Sequence, residues 1–309
     1  MLPKSRLFSA LLVGLGVALI VAGLVAPRFL LGDGRFPLDL ENTTYTLVDD
    51  DARFEDESTP VTRQMHLEIQ NPADDEMVSL RMGNSLFHGE EADQLDNLVT
   101  AETWSWQMNR VTGDPLDSAS LSSVMVMPAT KVDMGGPWIK LPVENDADEV
   151  NLFDPMLRRT APAVREGEHQ LLGRQADSYA QTIEPTNLAR EYAAMQNTKT
   201  VEDGEGNAQQ LYLTYEAKRV LTVDHITGLV IGITEDVDMY YADADGNRVE
   251  NYVTYAAETS GNDARMKQLE RVASQGTSRN ATIVVMTLGG VLTLLGLIGA
   301  FRPEGRRKS

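Results

Sequence analysis

The sequence predicts a mainly β (α+β) protein: an elongated antiparallel β-barrel-like outer domain with one or two helices, flanked by two transmembrane helices. Three observations carry this. Uncharged runs stand at both ends, Leu7 to Ala26 and Ala281 to Phe301. Segments that alternate polar and apolar residues fill the middle, which is the period of a half-buried strand. Turn residues separate those segments, as in Asp203-Gly204-Glu205-Gly206-Asn207 and Asp243-Ala244-Asp245-Gly246-Asn247.

The terminal runs set the topology. A helix rises 1.5 Å per residue, so about 20 apolar residues cross a hydrocarbon core of about 30 Å. Lys4 and Arg6 precede the first run, and Arg302, Arg306, Arg307 and Lys308 follow the second with Glu304 as the one acid. Basic flanks stay on the cytoplasmic side. The expected organisation is a cytoplasmic tail (1–6), a span (7–26), an extracytoplasmic β-rich domain (27–280), a second span (281–301) and a basic cytoplasmic tail (302–309). This is a two-pass plasma-membrane protein with both termini inside. A cleaved signal peptide is the alternative for the first run, with Val21-Ala22-Gly23 as a small-residue site; the length of the run favours a retained anchor. Ala10, Gly14, Ala18 and Ala22 recur every fourth residue, and Gly289, Thr293, Gly296 and Ala300 share a face of the second span. Small residues let helices approach closely, though Gly and Ala are also common in membrane helices generally. Neither span holds an ionisable residue, which argues against an ion pathway through them.

Composition excludes several classes. The chain has 309 residues, a net charge of −19, four His and no Cys. Disulfide frameworks, thiolate metal sites and Cys nucleophiles are out, and a His-rich metal site has little material. The acidity argues against nucleic acid as a partner, because phosphate contacts need a basic face. The tails carry a surplus of five positive charges, so the middle carries −24.

The expected strands are Thr44–Val48, Gln64–Ile69, Met77–Met82, Thr103–Val111, Leu211–Tyr215, Arg219–Val223, Leu229–Ile233, Val237–Tyr241 and Val249–Tyr255. Two helices are expected. Asn187 to Gln196 has Thr186 as N-cap and Leu188, Tyr192 and Met195 on one face, and Asp263 to Ala273 leads toward the second span. The Asp243–Asn247 segment lacks the ligand spacing of a calcium loop and reads as a hairpin. Asn109-Arg110-Val111-Thr112-Gly113 and Asp224-His225-Ile226-Thr227-Gly228 share one pattern 115 residues apart. They are either a trace of an internal repeat or two ordinary Thr-Gly turns whose Gly supplies a positive φ.

One set of segments resembles a known family. In order these are an apolar span; Gly136-Pro137-Trp138-Ile139-Lys140-Leu141-Pro142-Val143 with Leu152-Phe153-Asp154; Leu172-Gly173 with Ser178-Tyr179; Arg219-Val220-Leu221-Thr222-Val223-Asp224-His225-Ile226-Thr227-Gly228-Leu229-Val230; and a closing span. This resembles the actinobacterial porin PorA family. Its pattern runs G-x-x-x-K-F-P-F, Y-x-x-W/F-D, G-L-x-T-Y and V-E-P-x-T-G-x-V. Leu141 and Val143 stand where that pattern has Phe, Val150-Asn151 replaces the usual Lys-x-Tyr approach to the Asp, and Asp224-His225 replaces Glu-Pro. The resemblance implies a cell-envelope protein that supports elaboration of lipomannan into lipoarabinomannan, with an outer domain like a lipid-binding elongated β-barrel. It implies a lipid partner such as a mannosylated phosphatidylinositol or a polyprenyl-phosphate sugar; envelope glycosyltransferases, to which such a lipid would be presented, are the further candidate partners. A membrane-spanning barrel needs a continuous apolar outer band, which the polar, acidic middle does not supply.

No nucleophile elbow, phosphate loop, dinucleotide fingerprint or zinc-protease motif occurs, so no catalytic residue, metal or cofactor is nominated. Asp154, before Pro155, reads as the cap of a turn. Trp104, Trp106, Met108, Trp138, Phe153 and Tyr179 are the candidate lining of an apolar cavity for acyl or prenyl chains. Core packing is the other reading of the same residues. The expectation is a non-enzymatic, lipid- or glycolipid-binding protein. The alternatives are a scaffold for envelope glycosyltransferases and a glycan hydrolase using two carboxylates.

Overall fold

A computed structural model describes residues 4–30, 34–38, 40, 43–90, 94–123, 128–143, 147–171, 174–202, 206–260 and 275–301. The chain divides into two compact units: residues 1–33 with 272–309, and Gly34–Arg271. The first unit holds two apolar helices, α1 (Lys4–Leu30) and, after a one-turn α2 (Leu188–Glu191) in the second unit, α3 (Gln275–Phe301). Windows Phe8–Val25 and Ile283–Phe301 are long and apolar enough to cross a membrane.

The helices meet through small residues at a seven-residue spacing. Ser9, Gly16 and Gly23 are buried on α1, and Gly289 and Gly296 on α3. A Cβ on Gly16 would collide with the Gly289 carbonyl and Thr293; one on Gly289 would collide with the Gly16 carbonyl. Of the expected contact residues, Gly289, Thr293 and Gly296 lie at this approach. Ala10, Gly14, Ala18, Ala22 and Ala300 are on exposed sides, and Gly14 has nothing within 4 Å of its Cβ position. The difference is geometric. A row taken every fourth residue turns about 40° per step around a 3.6-residue helix, whereas a seven-residue row drifts only about 20° and stays on its partner.

The second unit is an antiparallel sheet, as the alternation implies. Its strands are β1 (Thr43–Asp49), β2 (Arg53–Phe54), β3 (Glu57–Ser58), β4 (Val61–Ala73), β5 (Met77–His88), β6 (Leu98–Asn109), β7 (Ala119–Ser122), β8 (Thr130–Val132), β9 (Glu149–Asp154), β10 (Arg159–Leu171), β11 (Arg174–Asn187), β12 (Thr198–Glu202), β13 (Ala208–Asp224), β14 (Val230–Ala242) and β15 (Arg248–Ser260). The order is β8-β7-β6-β5-β4-β1-β15-β14-β13-β11-β10-β9, with β12 added to β13 and β2 and β3 beside β15. The ladder is open: β8 and β9 are its two ends.

This order is two meanders of six strands, β1-β4-β5-β6-β7-β8 and β9-β10-β11-β13-β14-β15, joined where β1 pairs with β15. In each, the turn between the fourth and fifth strands is one of the two Thr-Gly segments. The turns share a bonding pattern. Asn109 Oδ1 accepts from Thr112 N, and Asp224 Oδ2 accepts from Thr227 N. Gly113 N donates to the Asn109 carbonyl, and Gly228 N to that of Asp224. Both glycines have positive φ, 81° and 67°. A Cβ on Gly113 would run into the Lys140 carbonyl, and one on Gly228 into the Leu141 carbonyl. Consecutive peptides of one strap are thus gripped by both turns.

That strap, Gly136 to Val143, runs inward between β8 and β9. Leu141 N donates to the Gly228 carbonyl, Val230 N to that of Ile139, and Phe153 N to that of Pro137. The Lys140 side chain is fully buried, and its Nζ donates to the Val111 carbonyl at 2.8 Å and the Leu141 carbonyl at 2.6 Å. Burial pushes its ammonium pKa down to about 7, against the opposing pull of Asp224.

The expected helix over 187–196 is shorter. Asn187, not Thr186, caps α2 by accepting from Ala189 N, and a 3₁₀ turn follows at Met195–Asn197. Asn197 Nδ2 takes the carbonyls of Leu188 and Tyr192, which stops the helix from continuing. Met195 consequently faces solvent. The Asp243 carboxylate accepts from Asp245 N and Asn247 N inside a hairpin turn, as its sequence indicates. The expected helix Asp263 to Ala273 lies outside the described residues.

Two outcomes follow. Gly228→Ala combines a left-handed backbone with a carbonyl collision and should cost about 3 kcal/mol or more; Gly206→Ala, with φ of 82° and open space, should cost only about 1 kcal/mol, read by denaturant unfolding. In the helices, Gly16→Leu should abolish disulfide crosslinking between Cys probes placed on α1 and α3, while Gly14→Leu should leave it intact.

Candidate functional site

The six residues expected to line an apolar cavity are buried in the second unit, within 9% exposure. Alternation along β6 turns Trp104, Trp106 and Met108 to the interior. Trp138 comes from the strap and Phe153 from β9. They pack against one another: Trp104–Phe153 at 5.4 Å, Trp104–Trp138 at 5.9 Å, Trp106–Trp138 at 5.3 Å and Trp138–Phe153 at 5.7 Å between ring centroids, three of these edge-on. Edge-to-face contacts fill space and favour aromatic pairs electrostatically. Tyr179 lies on β11, opposite Leu221 of β13.

Beside the aromatics is a buried ionic network. Asp154 caps its turn, accepting from Met156 N and Leu157 N through Oδ1. Its Oδ2 meets Arg219 and the Tyr215 hydroxyl. Arg219 Nε lies 2.8 Å from Glu235, which also binds Arg63 through both oxygens and accepts from the Tyr255 hydroxyl. Two cations and two anions from β4, β9, β13 and β14 thus neutralise one another inside the sheet. Next to them is a void of about 20 Å³, room for roughly one water.

The larger opening is a cleft of about 540 Å³. Its floor is Arg158, at the tight turn after Asp154, with φ of 57°. Left-handed backbone is uncommon for a residue with a long side chain, and here it aims that side chain at α2 and the following loop. The guanidinium stacks on Tyr192, 3.6 Å from the ring centroid, and its terminal nitrogen is 3.4 Å from Glu102. Glu102 Oε2 accepts from Trp104 Nε1 at 3.1 Å, so the cleft connects to the aromatic cluster through one carboxylate. Burial pushes the Glu102 carboxyl up, although Arg158 pulls it down. Burial also pushes the Tyr192 phenol up to about 12. The walls mix Thr130, Thr198 and Gln196 with Ala193, Ala194 and Met195.

None of the six expected cavity residues lines this cleft. Arg158 and Tyr192 assemble from positions 34 apart, and no local motif marks either. A third cluster, Glu168, Asp177 and His225, brings possible metal-ligand atoms within 4.8 Å of one another. Arg165 already donates to both carboxylates, which supplies the compensating charge from the protein itself.

The ionic network makes stability depend on acid. Arg63 and Arg219 hold the Glu235 carboxyl down at about 2, against the cost of burial and below its ordinary 4.5. Its contribution is therefore complete above about pH 4.5 and is lost as pH falls from there through 2. Glu235→Gln should cost about 3–5 kcal/mol at pH 7. The difference from the parent chain should shrink steadily below pH 4.5, measured by chemical denaturation at each pH.

A protein from Corynebacterium amycolatum named Porin PorA is 22% identical over 89% of this chain and 87% of its own length. A second, also named Porin PorA, from Corynebacterium resistens, is 24% identical over 59% of this chain and 54% of its own. The family model described as Porin PorA matches residues 8–298, from the first apolar helix to the last, and the chain belongs to that family of membrane-associated proteins.

Proposed function

We propose that this chain is a membrane-anchored, extracytoplasmic lipid- or glycolipid-binding protein that supports lipoglycan assembly in the cell envelope, at the elaboration of lipomannan toward lipoarabinomannan. In this reading it binds and presents a lipid such as a mannosylated phosphatidylinositol or a polyprenyl-phosphate sugar, and it catalyses no reaction itself. The observation that carries it is the division of labour between surfaces. Apolar surface long enough for a bilayer is on α1 and α3, while the strands turn charge outward, as at Arg81, Glu166, Lys218, Asp236 and Glu258. Charged side chains facing lipid at mid-bilayer depth cost about 2–4 kcal/mol each for Arg and Lys.

The name carried by the relatives points to a channel. Against a channel through this sheet stand the outward charges and an interior occupied by the aromatic cluster and the ionic network. A scaffold reading has one observation in its favour: Ala10, Gly14, Ala18 and Ala22 stay uncovered on α1 and could meet a helix of a transferase.

Native mass spectrometry of the full chain extracted in mild detergent tests the proposal. The expected result is a one-to-one adduct with the mass of a phosphoinositide or polyprenyl-phosphate lipid. A chain that flies bare, under conditions where a control lipid-binding protein keeps its lipid, would refute it.

A further inference from the structure

The Gly136 to Val143 strap sits in the interior without belonging to the strand ladder. Its one β-bridge joins Lys140 to Leu229, and its backbone hydrogen bonds run to Gly228, Val230 and Phe153. Gly135, with φ of 68°, stands directly before it. This segment nevertheless places Trp138 at the centre of the aromatic cluster, against Trp104, Trp106 and Phe153. It also carries Lys140 into a site with no solvent exposure.

The acceptors around Lys140 match a neutral amine. Nζ meets two of them, the carbonyls of Val111 and Leu141, and a neutral amine has two N–H groups. An ammonium carries a third, and burial makes both that donor and the charge costly. The neighbouring charges give little relief. Arg110, in the first turn, is committed to the Phe36 and Asp74 carbonyls, and Asp114 beyond it is exposed. In the second turn His225 faces Asp177. Asp224 does favour the ammonium, but its Oδ2 accepts from Thr227 N and Oγ1, and burial outweighs its pull. The strap itself holds no other charge.

We propose that the strap is an acid-sensitive latch: protonation of Lys140 weakens its grip on the two turns, and release withdraws Trp138 and opens its place among Trp104, Trp106 and Phe153 to an alkyl chain. The latch stands on the geometry of Lys140; the alkyl chain rests on the lipid-binding reading above. In the closed strap the amine takes up its proton at about 7, and in a released strap at its ordinary 10.5. Between those values release binds a proton, so each pH unit downward favours release about tenfold, and the effect levels off below about pH 7.

Hydrogen exchange on the full chain in dodecylmaltoside, followed by mass spectrometry, tests the latch. The opening constant of the Leu141 amide is its exchange rate relative to an unstructured peptide. It should rise about tenfold per unit from about pH 9 to about pH 7 and then stay level. Lys140→Met should remove the slope. Asp224→Asn, which weakens the pull on the ammonium, should move the levelling-off to lower pH; a lysine with only a structural role would give no such shift. An opening constant that does not change with pH, or a slope that persists in Lys140→Met, overturns the latch, whatever lipid the chain carries. Should Lys140→Met fail to fold, an unmoved levelling-off in Asp224→Asn overturns it instead. The alkyl chain is read with brominated dodecylmaltoside, whose bromoalkyl tail quenches indole, since the three Trp of the chain are those of the cluster. Quenching should grow severalfold as pH falls over the same range. Flat quenching beside a sloping opening constant keeps the latch and removes the alkyl chain.

Discussion

The backbone at Lys140-Leu141 is the point on which the outer fold turns. Two hairpin turns, one from each meander, close on its two successive carbonyls, and in each the close approach is possible because the facing residue is a glycine. The buried Lys140 ammonium then ties the strap to the first turn through the Val111 carbonyl and shares charge with Asp224 in the second. A strap held this way joins the turns of both meanders to β9, whose Phe153 N donates to the Pro137 carbonyl. It also holds the end of β9 at Phe153, next to Asp154 and the turn that carries Arg158.

The ionic network completes what the strap begins. A double meander that curls on itself must decide which residues of its two halves face one another. Apolar side chains alone tolerate many such registers. Arg63 on β4 and Glu235 on β14 tolerate few, because a mispaired buried charge is expensive. The pair with Arg219 and Asp154 extends the same demand to β13 and β9. Buried ion pairs add little net stability against an apolar replacement, so specificity of register is the better account of their presence here.

The same buried charges explain what could be read from the residues and what could not. The alternation of β1, β4, β5, β6 and β15 is visible because each turns apolar side chains inward. β13 reads as two short runs, Leu211–Tyr215 and Arg219–Val223, since Glu216-Ala217-Lys218 breaks the apolar pattern between them; the strand is continuous from Ala208 to Asp224. β14 is split in the same way at Thr234-Glu235-Asp236, where the inward residue is a carboxylate. The second half of β10 is polar on both faces and carries no period at all. The Thr-Gly match was legible, but its meaning was not: only the strap between the turns shows why both glycines are needed. The inward direction of Trp104 and Trp106 was legible too. Arg158 was not, because its partners Glu102 and Tyr192 are 56 and 34 residues away.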